Sequence, residues 1–340
     1  MEKSTAVAFR ATAQKKAPKK EITIAAKDVD GDCTAIQEAI NKAKSGLTIN
    51  LIGPDLFKGH LVINKREITL VGHKDAAIIS SKGDTIRFDA DSGTVRSLGI
   101  AYDGIYRNYC PVNIVGGKLL LESCDIIGGY DMNIVRAQKN AEPIIRKNNI
   151  RGSSLGNGIS IECASCLVED NDIHSLGEAG IKIGQNVSPE VRGNKIYLCT
   201  TGISFEPGGG GAIEANNVFD NIIGIGLTEV ANAVIKANVI YSNGCGMVSG
   251  HGDDPADEGL AVTPKTGQGG IRIARNQIHH NSQRGIDLPY WEDKFELMNR
   301  IFNNKTEICN GKCDGCVNNK PYICCSQGDF CYIPDKLPKL

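Results

Sequence analysis

The middle of the chain repeats one alternating pattern of apolar and polar residues every 22 residues. Each repeat contains Gly-Ile-x-Ile or a close variant, in which apolar and other residues alternate as in a half-buried strand. A fixed short period is typical of repeat proteins, in which each unit buries its apolar side chains against the next unit. We therefore predict an all-β fold, a right-handed parallel β-helix with one unit per coil. The glycines that open these segments are Gly158, Gly180, Gly202, Gly224 and Gly246.

A second marker, Asn followed two positions later by Ile or Val, recurs with nearly the same period at Asn148, Asn171, Asn194, Asn216 and Asn238. Stacked coils lie about 4.8 Å apart, so an inward asparagine at a bend can bond to its copies above and below. The residue two positions before each marker alternates in charge, which favours this register because opposite charges then lie on adjacent strands. We predict an internal asparagine ladder and an external charge ladder of Arg146, Glu169, Arg192, Glu214 and Lys236.

The two ends carry different patterns, which divide the chain into three parts. Residues 1–20 are predicted to be a disordered basic tail, and residues 21–289 to be the β-helix. Within the β-helix, a helical period at about 33–45 predicts an N-terminal capping helix, and residues 249–269 form a loop insertion. Residues 290–340 are predicted to hold a short C-terminal capping helix and a Cys-rich tail. The helix is indicated by the spacing of Trp291, Phe295, Met298 and Phe302.

The cysteines fall into a scattered group and a C-terminal cluster. Cys163 continues the inward parity of Ile159 and Ile161, so we predict that it is a core residue. Within the cluster, Cys313 and Cys316 have the spacing of a zinc half-site. Structural zinc, free thiols and disulfides all remain open there, and no other cofactor is expected. The cluster consists of Cys309, Cys313, Cys316, Cys324, Cys325 and Cys331.

Several segments resemble a known superfamily. Asp-Gly-Asp-Cys-Thr-Ala-Ile-Gln-Glu-Ala-Ile at residues 30–40, together with residues 49–51 and 61–72, resembles the opening of right-handed β-helix proteins of the pectin-lyase-like superfamily. The resemblance spans roughly residues 22–290 and implies the fold. It leaves the function open, because the superfamily includes polysaccharide lyases, hydrolases and epimerases as well as non-enzymatic scaffolds. The repeats are also similar to the β-helix domains of eukaryotic F-box-only and SHC-binding proteins, which implies protein partners.

The best catalytic candidates are Glu162, Lys182 and Glu206. The two glutamates hold equivalent outward positions two coils apart, hence about 9.6 Å along the axis, and Lys182 lies on the coil between them. That separation is at the upper limit of the roughly 6.5–9.5 Å found for a pair of inverting carboxylates. A neutral, solvated sheet face would carry the same charges. Because only 5% of the residues are aromatic, a sugar-stacking groove would lack its usual side chains.

These observations favour a non-catalytic structural or protein-interaction module, with a cytoskeletal or axonemal scaffold as the specific hypothesis. The alternative is a carbohydrate-active enzyme, namely a polysaccharide lyase, hydrolase or epimerase. We expect protein partners, among them an acidic surface for the basic tail, and keep a glycan as an alternative; neither a membrane nor nucleic acid is expected. The candidate partner-binding residues are Lys15, Lys16, Lys19, Lys20, Asp253, Asp254, Asp257 and Glu258.

The location follows from the absence of a recognisable export segment. No apolar run of signal-peptide length occurs near the start of the chain. We therefore expect a cytoplasmic protein, with the cytoskeleton or a cilium as the specific setting. A mitochondrial location is the alternative, although Glu2 and the excess of Lys over Arg in the first 20 residues argue against a mitochondrial presequence.

Overall fold

The chain winds into a parallel β-helix of about 11 turns, which confirms the predicted fold class. The computed structural model describes residues 20–29, 31–54, 56–227, 232–248, 271–287 and 299–309. Within these residues the strands join one continuous sheet of 29 strands in which neighbouring coils pair in parallel. Each turn of the β-helix is called a coil below.

Short strands make up the coils. The helix α1 spans Thr34–Lys42, and a single 3-10 turn spans Ala26–Asp28. In chain order, strands β1 to β29 are Lys20–Ala25, Leu47–Ile52, Leu56–Lys58, Leu61–Ile63, Ile68–His73, Ala77–Ser80, Ile86–Arg96, Gly99–Tyr102, Val112–Glu122, Asp125–Ile127, Val135–Ala141, Ile144–Arg146, Asn149–Ser153, Ile159–Ile161, Leu167–Glu169, Asp172–Ile183, Glu190–Arg192, Lys195–Phe205, Gly211–Glu214, Asn217–Phe219, Ile223–Gly226, Ala233–Lys236, Val239–Tyr241, Cys245–Val248, Arg272–Ala274, Gln277–His279, Arg284–Asp287, Arg300–Phe302 and Thr306–Cys309.

Three sheet faces enclose the core, and each coil between the first and the last described coils contributes one strand segment to each face. Face 1 contains β4, the first halves of β7 and β9, β11, β14, the second halves of β16 and β18, β21, β24, β27 and β29. Face 2 contains β1, β2, β5, the second halves of β7 and β9, β12, β15, β17, β19, β22 and β25. Face 3 contains β3, β6, β8, β10, β13, the first halves of β16 and β18, β20, β23, β26 and β28.

The apolar half of the repeat forms the core. On face 1, one inward column consists of side chains with 0% exposure on consecutive coils, because a strand sends alternate side chains to the same side. Its members are Ile159, Ile181, Ile203, Ile225, Met247 and Ile286. Cys163 is also 0% exposed, which confirms that it is a core residue.

The bend from face 2 to face 3 is made by two residues, a left-handed residue and then an asparagine. The left-handed residue has φ of 54° at Lys147 and 56° at Ala237, a conformation that costs a residue other than glycine about 1–2 kcal/mol. Hydrogen bonds from the asparagine on the next coil offset this conformational cost. Asn171 Oδ1 accepts hydrogen bonds from the backbone N–H of Asn148 at 3.0 Å and from its Nδ2 at 3.0 Å. Asn171 Nδ2 in turn donates to the carbonyl oxygen of Ile145 at 2.9 Å. The predicted asparagine ladder is therefore confirmed.

The ladder is longer than predicted, and a second one exists. The first ladder begins at Cys124 and continues from Asn148 to Asn299, and the pair Asn238–Asn276 keeps a bond of 3.0 Å across 38 residues of sequence. The coils that precede and follow the insertion in sequence therefore keep the same ladder bond. The second ladder, which the repeat analysis missed, follows left-handed residues at the corner between faces 3 and 1. It begins at Cys199 and consists of Asn221, Asn243, Asn281 and Asn304.

The external charge ladder on face 2 is confirmed. Glu169 lies between Arg146 and Arg192 in the strand register, with its carboxylate 3.8 Å from Arg146 and 2.8 Å from Arg192. Glu122 extends the ladder by one coil, since its Oε1 lies 2.8 Å from Arg146 Nη2. Glu214 and Lys236 continue the register. Such exposed pairs are each worth about 0–1 kcal/mol, so their main effect is on register.

The N-terminal opening of the β-helix is covered by α1, which lies inside the predicted range. Ile36 and Ile40 of α1 are fully buried. Gln37 bonds to the outer edge of β4: its Nε2 donates to Val62 O at 3.0 Å and its Oε1 accepts from Val62 N–H at 2.8 Å. The helix therefore supplies hydrogen-bond partners to backbone groups of an edge strand that would otherwise be unpaired.

The C-terminal boundary differs from the prediction. Phe302 lies in β28 rather than in a helix, and β28 and β29 pair with β26 and β27 of the preceding coil. The β-helix therefore continues past residue 289, because Asn299-Arg300-Ile301-Phe302 repeats the Asn-x-Ile pattern. Lys20, assigned to the tail, begins β1. The rest of the tail, the insertion, and residues 291–298 and 310–340 lie outside the described residues.

Removing one ladder asparagine should destabilise the whole stack. We expect Asn194→Ala to lower the free energy of unfolding by about 3 kcal/mol, because it orphans buried groups worth about 1–3 kcal/mol each, among them the N–H of Asn171. Urea unfolding followed by far-ultraviolet circular dichroism measures the change. Asn217→Ala is the matched control, because Asn217 is an exposed asparagine on the next coil, and it should change stability by less than about 0.5 kcal/mol. Equal effects of the two substitutions would contradict the ladder's role.

Candidate functional site

Face 1 carries a column of outward polar side chains in which cations recur on alternate coils. Arg87, Arg136 and Lys182 are the cations, and neutral polar residues stand between them; we call this set the basic column. In register order it consists of Arg87, Asn113, Arg136, Ser160, Lys182 and Ser204. Successive cations are thus two coil steps apart, about 9.6 Å along the axis.

Arg136 differs from the other two cations. Arg87 Nη1 lies 3.9 Å from the buried carboxylate of Asp84, and Lys182 Nζ lies 2.6 Å from Glu206 Oε1. Arg136 is half-buried and, within the described part of the chain, forms no ion pair. Its neighbours in the column, Asn113 and Ser160, are neutral and buried. Among the described residues, the guanidinium therefore has no carboxylate that neutralises it.

A buried hydrogen-bond network fixes the polar surface beside Arg136. Asp84 accepts from the N–H of Cys110 at 3.0 Å and from Nδ2 of Asn113 at 2.7 Å. Asn113 Oδ1 accepts from Gln138 Nε2 at 2.7 Å. Burial raises the pKa of the Cys110 thiol well above its ordinary value, with the Asp84 carboxylate adding to the effect. The thiol therefore stays protonated and serves the network as a weak donor to Asp84, at 3.6 Å.

The three predicted catalytic residues lie on face 1, but only two of them meet. Lys182 and Glu206 form the ion pair described above, with both side chains 36% exposed. Glu162 is exposed in the register position of Gly184 and Glu206, two coils from Glu206. The carboxylate of Glu206 is therefore held in an ion pair, whereas that of Glu162 is exposed to solvent. A role for the Glu206 carboxylate as a base, or for the Lys182 ammonium as an acid, requires the ion pair to open.

Three consecutive loops between face 3 and face 1 expose large apolar side chains. These are Ile105 (88% exposed), Tyr106 (51%), Tyr130 (69%) and Leu155 (47%), and we call the set the apolar corner. The loops lead directly into Asn113, Arg136 and Ser160, so the apolar corner forms one rim of the basic column. A composition of 5% aromatic residues suggested that such side chains were lacking; the structure instead concentrates them beside the column.

A different aromatic set lies on face 3, where six rings stack on consecutive coils. Ring centroids are 4.8–5.3 Å apart, with interplanar angles of 7–21°. Each ring is half-buried, and the inner rings have both faces covered by neighbours, so the stack presents mainly ring edges to solvent. This geometry stabilises the sheet. The stack consists of His174, Tyr197, Phe219, Tyr241, His279 and Phe302.

Cys163 and Cys166 lie in the turn that follows Glu162. Both are buried and unoxidised. The thiol of Cys166 donates to the sulfur of Cys163, which lowers the pKa of Cys163. The same bond, together with burial, raises the pKa of Cys166. The pair is therefore an internal contact that shapes the turn beside the candidate face.

The remaining predicted site residues are not brought together in the described part of the chain. Lys20 is exposed and, with Lys42 and Lys44, lines an open cleft of about 860 Å³ beside the end of α1. Lys15, Lys16, Lys19, Asp253, Asp254, Asp257 and Glu258 lie outside the described residues, as do Cys313, Cys316, Cys324, Cys325 and Cys331. The backbone of Cys309 ends β29. The zinc hypothesis therefore stays a prediction; the described ranges contain no group of three or more His, Cys, Asp or Glu side chains that could hold a metal.

Sequence reasoning missed Arg136 and the apolar corner for different reasons. Arg136 precedes the regular repeats, so its equivalence to Ser160 and Lys182 emerges only from the strand register. The apolar corner lies on loops of unequal length, where exposure depends on packing. The face 3 stack did have a signal, since each of its rings stands three residues after a ladder asparagine.

The fold and these features define the class of protein. Residues 133–302, half of the 340-residue chain, match the family model described as the right-handed β-helix region. The chain belongs to this right-handed β-helix family. No curated protein sequence matches the chain significantly, and none of the helices described in the structure has the length and apolar character needed to cross a membrane.

Solved structures with a similar fold share little sequence with the chain. The A-module of the Azotobacter vinelandii mannuronan C-5 epimerase AlgE4 superposes with a TM-score of 0.51 at 14% identity, covering 85% of this chain and 96% of that one. The Dettilon tailspike protein superposes with a TM-score of 0.51 at 16% identity, covering 82% of this chain and 67% of that one. At such low identity these similarities establish the fold alone.

The face 3 stack should make stability depend on pH. Burial lowers the pKa of His279, with His280 adding to the effect, and burial likewise lowers the pKa of His174. Because the folded-state pKa lies below the unfolded value of about 6.5, the unfolded chain binds protons first as the pH falls. The free energy of unfolding should therefore decrease as the pH falls below about 6.5 towards the folded pKa.

The double substitution His174→Phe/His279→Phe tests this by urea unfolding at a series of pH values. It should flatten the slope in that interval while the rings still stack. Tyr241→Phe is the control, since it alters the stack without removing a group that ordinarily titrates between about pH 5 and 8. The expectation is wrong if the double variant keeps the slope of the wild type.

Proposed function

We propose that this chain is a carbohydrate-active β-helix that binds an acidic polysaccharide along face 1. The observation that carries the proposal is Arg136, a half-buried guanidinium with no ion-pair partner in the described residues, placed between neutral Asn113 and Ser160. A planar guanidinium matches a carboxylate or sulfate through two parallel hydrogen bonds. An anionic group on a ligand would supply the missing partner.

The rest of the basic column supports a linear ligand. Arg87 and Lys182 lie two coils on either side of Arg136, so an extended chain parallel to the helix axis meets them in series. Of the neutral side chains in the column, Asn113 and Ser160 are buried, whereas Ser204 is half-buried and offers a hydroxyl that suits a sugar hydroxyl. A continuous phosphate backbone suits the face less well, because Glu162 and Glu206 lie on it and the whole chain has a net charge of −1.

The fold is compatible with this function. One structural neighbour is by name a mannuronan C-5 epimerase, so a β-helix of this kind can carry an enzyme of that class. The identity of 14% limits that comparison to the fold. The scaffold hypothesis has no direct support in the described residues, and a failure to bind any glycan would restore it as the stronger hypothesis.

Turnover of the bound glycan is a second candidate function. Lys182 and Glu206 form an ion pair of 2.6 Å on the same face, two and three coils from Arg136 respectively, so Lys182 is the cation next to Glu206. A cation that neutralises a sugar carboxylate beside a group able to move a proton is the arrangement required for elimination or epimerisation. Opening of the ion pair on ligand binding would release both groups.

Arg136→Gln should weaken binding of an acidic polysaccharide by about 10- to 100-fold, because a charge-assisted hydrogen bond contributes about 1.5–3 kcal/mol. Isothermal titration calorimetry with polymannuronate and polygalacturonate measures the affinity, and neutral amylose serves as the comparison ligand. Arg136→Lys should give an intermediate loss, since lysine keeps the charge but not the two-pronged geometry.

Lys195→Gln is the matched control, because Lys195 is an exposed cation on face 3. It should leave the affinity unchanged. Absence of binding by the wild type, or equal losses in Arg136→Gln and Lys195→Gln, would falsify the proposed site.

Glu206→Gln separates binding from turnover. If the glycan is processed, this substitution should lower the rate by at least about 100-fold, the lower range of a proton-transfer contribution, while the affinity changes little. Product analysis of the polyuronates after incubation detects shortened, unsaturated or epimerised chains. An unchanged polymer with the wild-type protein would rule out the catalytic candidate and leave binding as the function.

A further inference from the structure

The apolar corner is an exposed surface that the fold does not require. Ile105, Tyr106, Tyr130 and Leu155 stand on three consecutive coils with exposures of 47–88%. Contiguous exposed apolar side chains mark interaction sites, because leaving them in water is unfavourable. The set therefore needs an explanation that the core and the ladders do not provide.

The loops that carry these side chains are bonded to one another. Arg107 Nε lies 2.7 Å from Asp131 Oδ2, which joins the first loop to the second. The backbone N–H of Leu155 donates to the carbonyl oxygen of Tyr130 at 3.0 Å, which joins the third to the second. Tyr130 and its neighbours are thus held before any ligand arrives, which reduces the entropy cost of binding.

The orientation of Tyr106 is also supported by contacts with Tyr109 and Tyr102. Its ring makes an edge contact with Tyr109, with centroids 6.2 Å apart and an interplanar angle of 81°, and Tyr109 contacts the buried ring of Tyr102 at 6.4 Å. The Tyr102 hydroxyl donates to the carbonyl oxygen of Tyr106 at 3.4 Å. An edge contact leaves ring surface uncovered, unlike the face 3 stack, where neighbouring rings cover one another.

We propose that Tyr106 and Tyr130 form a stacking platform for the sugar rings of the polysaccharide whose acidic group binds Arg136. This inference rests on the proposed function. The corner loops lead directly into the strands of Asn113 and Arg136, so one extended glycan can reach both features. The C–H face of a pyranose matches the exposed ring of a tyrosine, and its carboxylate matches the guanidinium. The column supplies charge recognition, and the corner selects a sugar chain over other polyanions.

The double variant Tyr106→Ala/Tyr130→Ala tests the platform. It should weaken binding of polymannuronate or polygalacturonate by about tenfold or more, with little change in unfolding midpoint because both side chains are exposed. Tyr106→Phe/Tyr130→Phe should retain the affinity, since the ring surface rather than the hydroxyl makes the contact. Ile144→Ala is the matched control, because Ile144 is an exposed apolar residue on face 2, and it should have no effect.

The salt dependence of binding distinguishes the contribution of Arg136 from that of Tyr106 and Tyr130. Raising the ionic strength should reduce the loss caused by Arg136→Gln, because exposed charges are screened, and should leave the loss caused by the tyrosine variant nearly unchanged. Single-stranded DNA serves as a polyanion without pyranose rings, and the wild type should bind it at least about tenfold more weakly than the preferred polyuronate.

The outcomes distinguish this inference from the proposed function. Loss of binding in Arg136→Gln with full binding in the tyrosine variant would overturn the platform and leave the proposed function intact. No polyuronate binding by the wild type would overturn both. DNA binding as tight as glycan binding would overturn the sugar selectivity. A change in sedimentation of the tyrosine variant, without a change in glycan affinity, would show that the corner joins copies of this chain, which contradicts the platform.

Discussion

The structure depends on the balance, at each bend between faces 2 and 3, between the strain of a left-handed residue and the hydrogen bonds of the asparagine that follows it. A triangular coil must turn sharply, and a left-handed residue makes the turn at a cost of about 1–2 kcal/mol when it is not glycine. Lys147, Asp170, Ala215 and Ala237 all adopt this conformation. The asparagine that follows each of them bonds to the backbone and side chain of its neighbours, so the strain of one coil is compensated by contact with the adjacent coils. This interdependence, more than the propensity of any single strand, fixes where each coil lies.

Once register is fixed, the outer surface follows from it. A side chain two residues before a ladder asparagine must lie beside its counterpart on the next coil, which produces the charge ladder around Glu169, and a side chain three residues after it produces the aromatic stack. In both arrangements the side chains are paired with their counterparts on neighbouring coils, so few charged groups or ring faces remain for a ligand. Face 1 departs from this rule at Arg136, where the adjacent coils offer neutral Asn113 and Ser160 instead of a carboxylate. The functional proposal rests on that departure.

The sequence was sufficient to predict the fold, the first asparagine ladder and the charge ladder, because all three are consequences of one period. It failed where two patterns overlapped or where the period was absent. The 4, 3, 4 spacing that ends at Phe302 suggested a helix, yet the same residue completes Asn299-Arg300-Ile301-Phe302 and lies in a strand. The three candidate residues Glu162, Lys182 and Glu206 were placed on the correct face, but the ion pair between Lys182 and Glu206 could not be inferred from spacing. The apolar corner could not be predicted at all, because side-chain exposure on loops depends on packing.

The third corner, from face 1 to face 2, has no asparagine ladder among the described coils, and its described turns differ in length: Glu142 to Pro143, Glu162 to Cys166, and Gly184 to Pro189. The ladder bond between Asn238 and Asn276 is nevertheless intact. Turns at this edge can therefore differ in length while the ladder bonds that set the register are kept. That edge adjoins the basic column, so variation in loop length there would reshape the neighbourhood of Arg136 and Lys182 while the scaffold beneath it stays constant.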